Sequence, residues 1–230
     1  MKKRITVIIV VAVLLIGAAA AARFFGLIPE KTYSGARFGI ETAVSAVDFD
    51  GDGVDDYADI LLGAKLDAEN CPVYKSAYYD GGYPPETEGV CTDVVWRAFR
   101  SAGYSLRDMV DADAKDNPDD YPDIETRDSN IDFRRVRNLH VFFSKYAVEL
   151  TTDIEKIAEW QPGDIVIFGD DTHIGIVSDK RDRSGHAYVI HNAGQPNRDE
   201  NRLIRGGVTA HFRFDAEKID GDVLKPWGGE

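Results

Sequence analysis

The sequence predicts an α+β domain. Helical periodicity dominates up to about residue 146, strand patterning takes over from Gly163, and a cysteine opens the clearest amphipathic helix while two histidines lie in the strand region. With 230 residues, 43% of them hydrophobic, the chain can bury one core and carry appendages.

Met1-Lys2-Lys3-Arg4 precedes an uncharged run from Ile5 to Ala22, about eighteen residues and near the lower limit for crossing a bilayer. Three cations before the run and none within it orient the N-terminus inward and the rest outward. The alanines from Ala18 to Ala22 equally suit a signal-peptidase cut. Residues 1–22 are therefore expected to be a transmembrane anchor or signal segment. The remainder is expected to be extracytoplasmic, held to the membrane by that segment or secreted. The formal charge is −13 for the whole chain, and −16 without Lys2, Lys3 and Arg4, which argues against nucleic acid as a partner.

Residues 23–47 have weak periodicity and several glycines and read as a stalk or lead-in. Residues 48–59 fit the twelve-position calcium loop, with Asp48, Asp50, Asp52, Asp56 and Asp59 at positions 1, 3, 5, 9 and 12, Gly53 at the sharp turn and the Val54 carbonyl at position 7. Five carboxylates so placed repel one another without a cation, so structural calcium is the expected cofactor. Asp59 is a methylene shorter than the usual glutamate, which weakens affinity toward the range of extracellular modules.

Residues 57–69 read as a helix leaving that loop, and 74–89 as a turn-rich stretch. Residues 92–102 form a helix with Val94, Val95, Ala98 and Phe99 as its buried face and Gly103 as its stop. Residues 108–130 are acidic, contain proline and read as a loop, and 138–146 can form another helix. Strands are expected at 165–168, 173–178, 187–191 and 210–214. The domain carrying them is expected to span residues 57–225.

Cys91 sits where the free N–H groups of a helix's first turn favour an anion, which would lower its thiol pKa and prepare a nucleophile. The two cysteines of the chain, Cys71 and Cys91, leave two alternatives, a single bridge or a free thiolate at Cys91. A thiolate needs a general base, and His173 in Thr172-His-Ile-Gly-Ile-Val is the candidate. His173, Gly175 and Val177 share one strand face, Ile174 and Ile176 the other. If strands 173–178 and 187–192 pair around a turn near Asp182, His173 lies opposite His191, with Cβ atoms about 5 Å apart. His191 would then orient the base, and a slip of one residue would present Asn192 instead.

The segments Gly-Val-Cys91-Thr-Asp-Val-Val-Trp-Arg, Asn130-Ile-Asp-Phe-Arg-Arg-Val-Arg-Asn138-Leu, Trp160-Gln-Pro-Gly-Asp-Ile-Val, His173-Ile-Gly-Ile-Val-Ser-Asp and His191-Asn-Ala-Gly resemble the YijF-like bacterial family of unknown function. That family is in turn similar to the NlpC-type papain-like cell-wall peptidases and amidases. The resemblance spans roughly residues 57–214. It implies a papain-like fold, with the nucleophile-bearing helix packed on an antiparallel sheet, and Cys91, His173 and His191 as nucleophile, base and orienter. Val90 departs from the aspartate common before the cysteine in the cell-wall enzymes, and Phe133 stands where relatives more often have histidine. Tyr78 or Tyr79 resembles the upstream tyrosine that assists the oxyanion. Arg134 and Arg135 offer guanidinium forks for a substrate carboxylate. The expected activity is cleavage of amide bonds in peptidoglycan peptides. The alternatives are a catalytically inactive, calcium-stabilised wall-binding module, and acyl transfer by the same dyad.

Overall fold

The computed structural model describes residues 2–24 and 30–228. Helix α1, Lys2–Phe24, turns Ile8, Leu14 and Ile16 outward. Among the described residues no helix is long and apolar enough to cross a membrane, so the expected membrane-spanning segment is not shown. The expected stalk is docked from Tyr33 onward. Tyr33 and Arg181 exchange backbone hydrogen bonds of 2.9 and 2.8 Å, and Ala43 N donates to Gln161 Oε1.

Helix α2, Asp56–Asn70, is capped by Asp55, whose carboxylate accepts from Tyr57 N. It crosses α3, Cys91–Ser101, at Gly63. A Cβ there would stand 2.6 Å from Ser101 Cβ and 2.8 Å from Ala98 Cα, so only glycine allows this crossing. Between these helices the short strands β1, Val73–Tyr74, and β2, Glu88–Gly89, pair in parallel. Part of the expected loop at 108–130 is instead helical. α4, Leu106–Asp116, buries Leu106, Met109, Val110 and Ala114, whose i, i+3, i+4, i+8 spacing is a helix face masked by interleaved aspartates. Ser105 caps it, its hydroxyl accepting from Asp108 N and donating to Asp108 Oδ2. Helix α5 follows at Val136–Tyr146.

The strands are β3, Val148–Glu149; β4, Ile165–Phe168; β5, His173–Arg181; β6, Ala187–Ile190; β7, Asp199–Glu200; and β8, Val208–Arg213. They form one antiparallel sheet in the order β3-β8-β4-β5-β6-β7. Strand alternation gives the sheet two apolar faces. Ile165, Ile167, Ile174, Ile176, Ile190 and Phe212 pack with Val94, Val95, Ala98 and Phe99 of α3 and with Leu139, Phe142 and Phe143 of α5. Val166, Phe168, Val177 and Val189 pack with Trp160 and Leu203 on the other side. Each such side chain, fully buried, contributes about 1.5–3 kcal/mol, so two-sided burial strongly fixes the strand faces. The α+β class is thus as expected, with the cysteine-bearing helix on an antiparallel sheet.

The β5–β6 hairpin differs from expectation in register. Ile176 faces Ile190 and Val177 faces Val189, which puts the His191 position across from Gly175 rather than from His173. A bulge between Val177 and Arg181 adds residues to β5, and the turn lies at 182–186, where Asp182 Oδ1 accepts from Ser184 N and His186 N. The shift is by an even number of residues, so His173 and His191 still share a face. Asn192 falls on the other.

Candidate active site

Cys91 is the first residue of α3, and the preceding Val90 has no side chain that can cap it. Asp93 reaches back instead, its Oδ2 accepting from Val90 N at 2.7 Å. The same carboxylate accepts from Arg134 Nε at 2.7 Å, Arg134 Nη2 at 2.9 Å and Trp96 Nε1 at 2.8 Å, all in the interior. This cluster fixes the turn that carries the sulfur. It also corrects the reading of Arg134 as a substrate anchor, because its fork is filled by Asp93 and its Nη1 donates to Ala77 O.

Both cysteines are free. Cys91 is only 7% exposed, and burial pushes its thiol up to about 11. The backbone N–H groups of Ile174 and Thr92 pull the other way. The expected lowered thiol pKa is therefore corrected: the helix start favours the anion, but desolvation outweighs it. His173 is likewise held neutral, pushed down to about 3 first by burial and then by the nearby His191 and Arg202. The two side chains meet through the backbone, the Ile174 N–H standing against the sulfur, and no hydrogen bond joins Cys91 to His173.

The imidazoles form a chain. His173 Nε2 lies 2.9 Å from His191 Nδ1, and His191 Nε2 lies 3.1 Å from Glu200 Oε1. Arg205 closes on Glu200 with two hydrogen bonds of 2.9 and 2.7 Å. A carboxylate can only accept, so His191 carries its proton on Nε2 and presents the Nδ1 lone pair. His173 must then donate from Nε2, which leaves its Nδ1 lone pair free to take a proton. Gln195 Nε2 donates to His191 O at 3.0 Å and lies over the ring, 3.2 Å from Nδ1 and 3.4 Å from Nε2. Gly175 makes the approach possible, since a Cβ there would lie 2.7 Å from Ile190 O and 3.0 Å from His191 Cβ. Sequence reasoning missed Glu200, Gln195 and Arg205. Glu200 lies on the two-residue strand β7, too short to carry a periodic signal.

The remaining expected site residues disperse. Asn192 is buried, its Nδ2 donating to Gly89 O and Pro72 O and its Oδ1 accepting from Gly194 N, so it braces the segment before Cys91 and does not orient His173. Tyr78 binds Asp128 and Asn130, and the Tyr79 hydroxyl donates to Glu88, so neither phenol is free for an oxyanion. The tyrosine beside the sulfur is Tyr74, paired with Gly89 across β1 and β2. Burial, then the neighbouring Cys91 and Asp93, raise its phenol pKa, and its hydroxyl has no partner among the described residues. Strand pairing selects Tyr74, a signal absent from residue spacing alone. Arg135 is exposed and lines a hollow of about 360 Å³ with Thr172, the residue before His173.

In the acidic loop, ligand atoms of Asp48, Asp50 and Asp52 lie within 4.8 Å of one another. Asp56 points inward, its carboxylate accepting from Phe49 N and Tyr104 OH, so its reading as a ligand is corrected.

A model of the family described as domain of unknown function (DUF1287) matches residues 61–214. The uncharacterized protein YijF of Escherichia coli (strain K12) is 39% identical over 149 residues, covering 62% of this chain and 72% of that one. No solved structure matches.

Proposed function

The chain belongs to the DUF1287 family, whose description carries no activity, and from its own residues we propose that it is an exported cysteine hydrolase of NlpC-like, papain-like build that cleaves amide bonds in peptidoglycan peptides. The observation that carries the reading is the Glu200–His191–His173 chain, which leaves one imidazole nitrogen unprotonated beside the residue whose N–H faces the Cys91 sulfur.

In this reading the Cys91 proton passes to His173 Nδ1 as the sulfur attacks the scissile carbonyl carbon. The oxygen takes the electron pair and is held by the Cys91 backbone N–H and the Tyr74 hydroxyl. Collapse of the intermediate breaks the C–N bond, and the amine leaves with the proton from His173. Water, deprotonated by His173, then attacks the thioester, releasing the acid and restoring the thiol. The neutral resting pair makes this proton transfer concurrent with attack rather than prior to it. Arg135, beside Thr172, is the cation available for a stem-peptide carboxylate.

Export rests on the N-terminal cations and the apolar run of α1, acting as anchor or leader. The burial of the sulfur and the missing Cys91–His173 bond favour one rival, a wall-binding module without turnover; acyl transfer to an amine in place of water is the other. Incubating the soluble domain with purified peptidoglycan, with Cys91→Ala as control, separates them. New amine ends support hydrolysis, sedimentation with the wall and no products supports binding, and products joined to an added amine support transfer.

A further inference from the structure

Asp59 is 2% exposed, and its carboxylate has no hydrogen bond or ion pair among the described residues. A buried carboxylate without a partner is costly, and the groups Asp59 faces make it worse. They are Asp52, Asp50, Asp56 and Asp48, all acids. On the exposed side of the loop Asp48, Asp50 and Asp52 converge, and the Val54 carbonyl takes no backbone N–H among the described residues. Asp48, Asp50 and Asp52 accept N–H groups of the loop itself, from Gly51, Asp52, Gly53 and Val54, and Asp56 accepts from Phe49 N and the Tyr104 hydroxyl, so of the five carboxylates Asp59 alone has no partner among the described residues.

We infer that residues 48–59 hold one divalent cation of the oxygen-seeking class, calcium in particular, bound by Asp48, Asp50, Asp52, the Val54 carbonyl and the buried Asp59, with Asp56 bracing the loop. A flexible loop rich in carboxylates suits calcium better than the smaller, strictly octahedral magnesium. The ion's place in the fold gives it a task. Phe49 stacks on Tyr104 at 4.1 Å, and Asp50 packs against Gly103, so the loop is seated on the turn that ends α3, the helix begun by Cys91. Neutralising the acids would lock that turn from a site remote from the chemistry.

The test uses the full chain, stripped with a chelator and then titrated with calcium chloride, magnesium chloride, or sodium chloride at matched ionic strength. Calcium about a hundredfold above its Kd should raise the melting temperature by about 5–10 °C, with calorimetric binding of one ion in the millimolar range or tighter. Asp59→Asn should melt higher than wild type without metal, because it removes the orphaned charge, and should lose the calcium shift. Asp56→Asn should keep calcium binding at one ion. A flat calorimetric titration with an unchanged melt at millimolar calcium overturns the site. An equal shift with sodium chloride reduces it to screening, and an equal shift with magnesium overturns the calcium assignment. None of these readings depends on hydrolase activity, so the site and the proposed reaction can fail separately.

Discussion

The two halves of the candidate site are held in opposite ways. On the helical side, Cys91 is fixed by an interior cluster in which Asp93 joins Arg134, Trp96 and the Val90 N–H, with both charged side chains at or below 2% exposure. On the sheet side, the imidazoles are fixed by a chain that runs outward to Glu200 and the exposed Arg205. Structure and chemistry separate along this line. The first cluster is part of what keeps the protein folded, whereas the second sets tautomers and touches little of the core.

The largest effect is expected at Asp93. Asp93→Ala strands the Arg134 guanidinium in the interior, and a cost of about 3–5 kcal/mol is expected in denaturant unfolding. If the variant unfolds at the wild-type midpoint, the helical cluster is not the structural half. His173→Ala should do the reverse, cutting turnover of peptidoglycan fragments by about 10²–10⁴ with little change in midpoint. His191→Ala should also fall steeply, while His191→Asn retains measurable turnover because an amide oxygen can still accept from His173 Nε2. Glu200→Gln removes the group that dictates the tautomer, and a drop of about tenfold in kcat/KM is expected from pH-rate profiles and melts compared side by side. A loss of stability without loss of rate would place Glu200 with the structural half.

The protonation states sharpen the same contrast. Iodoacetamide alkylation of Cys91 should rise with pH past the ordinary thiol range toward about 11. An inflection well below about 8.5 would mean the helix start outweighs burial after all. A further effect concerns stability. His173 binds a proton near 6.5 when unfolded but not until about 3 when folded, so unfolding takes up a proton in that window. Stability should be lost as pH falls through 6.5 toward 3, and His173→Gln should lessen that slope in melts from pH 7 to 4.

Much of this was legible because it is local. Alternation placed His173 with Gly175 and Ile174 with Ile176, and the helix start placed Cys91 at its N-terminus. The hairpin register was not legible, since the bulge between Val177 and Arg181 leaves no mark in periodicity and only parity survived it. Arg134 read as a free fork because its partner Asp93 lies 41 residues earlier, a pairing that only packing reveals. The thiol was misjudged for a related reason. A helix terminus is visible in sequence, whereas the burial that opposes it comes from the sheet. α4 is the exception, because Ser105, Asp108 and the Leu106–Met109–Val110–Ala114 face were all present and were obscured by the acidic composition.

Gly175 turns the sheet into a gauge for the relay. Its missing side chain lets β5 and β6 lie flush where Ile190 O and His191 Cβ approach, so the 2.9 Å contact between the rings is set by strand spacing. A single methyl at position 175 would act as a shim, prising the strands apart with no new charge and no polar group removed. The imidazoles would keep their identity and lose their alignment. That position therefore offers a mechanical handle on proton transfer, one that leaves the chemistry of every reacting group intact.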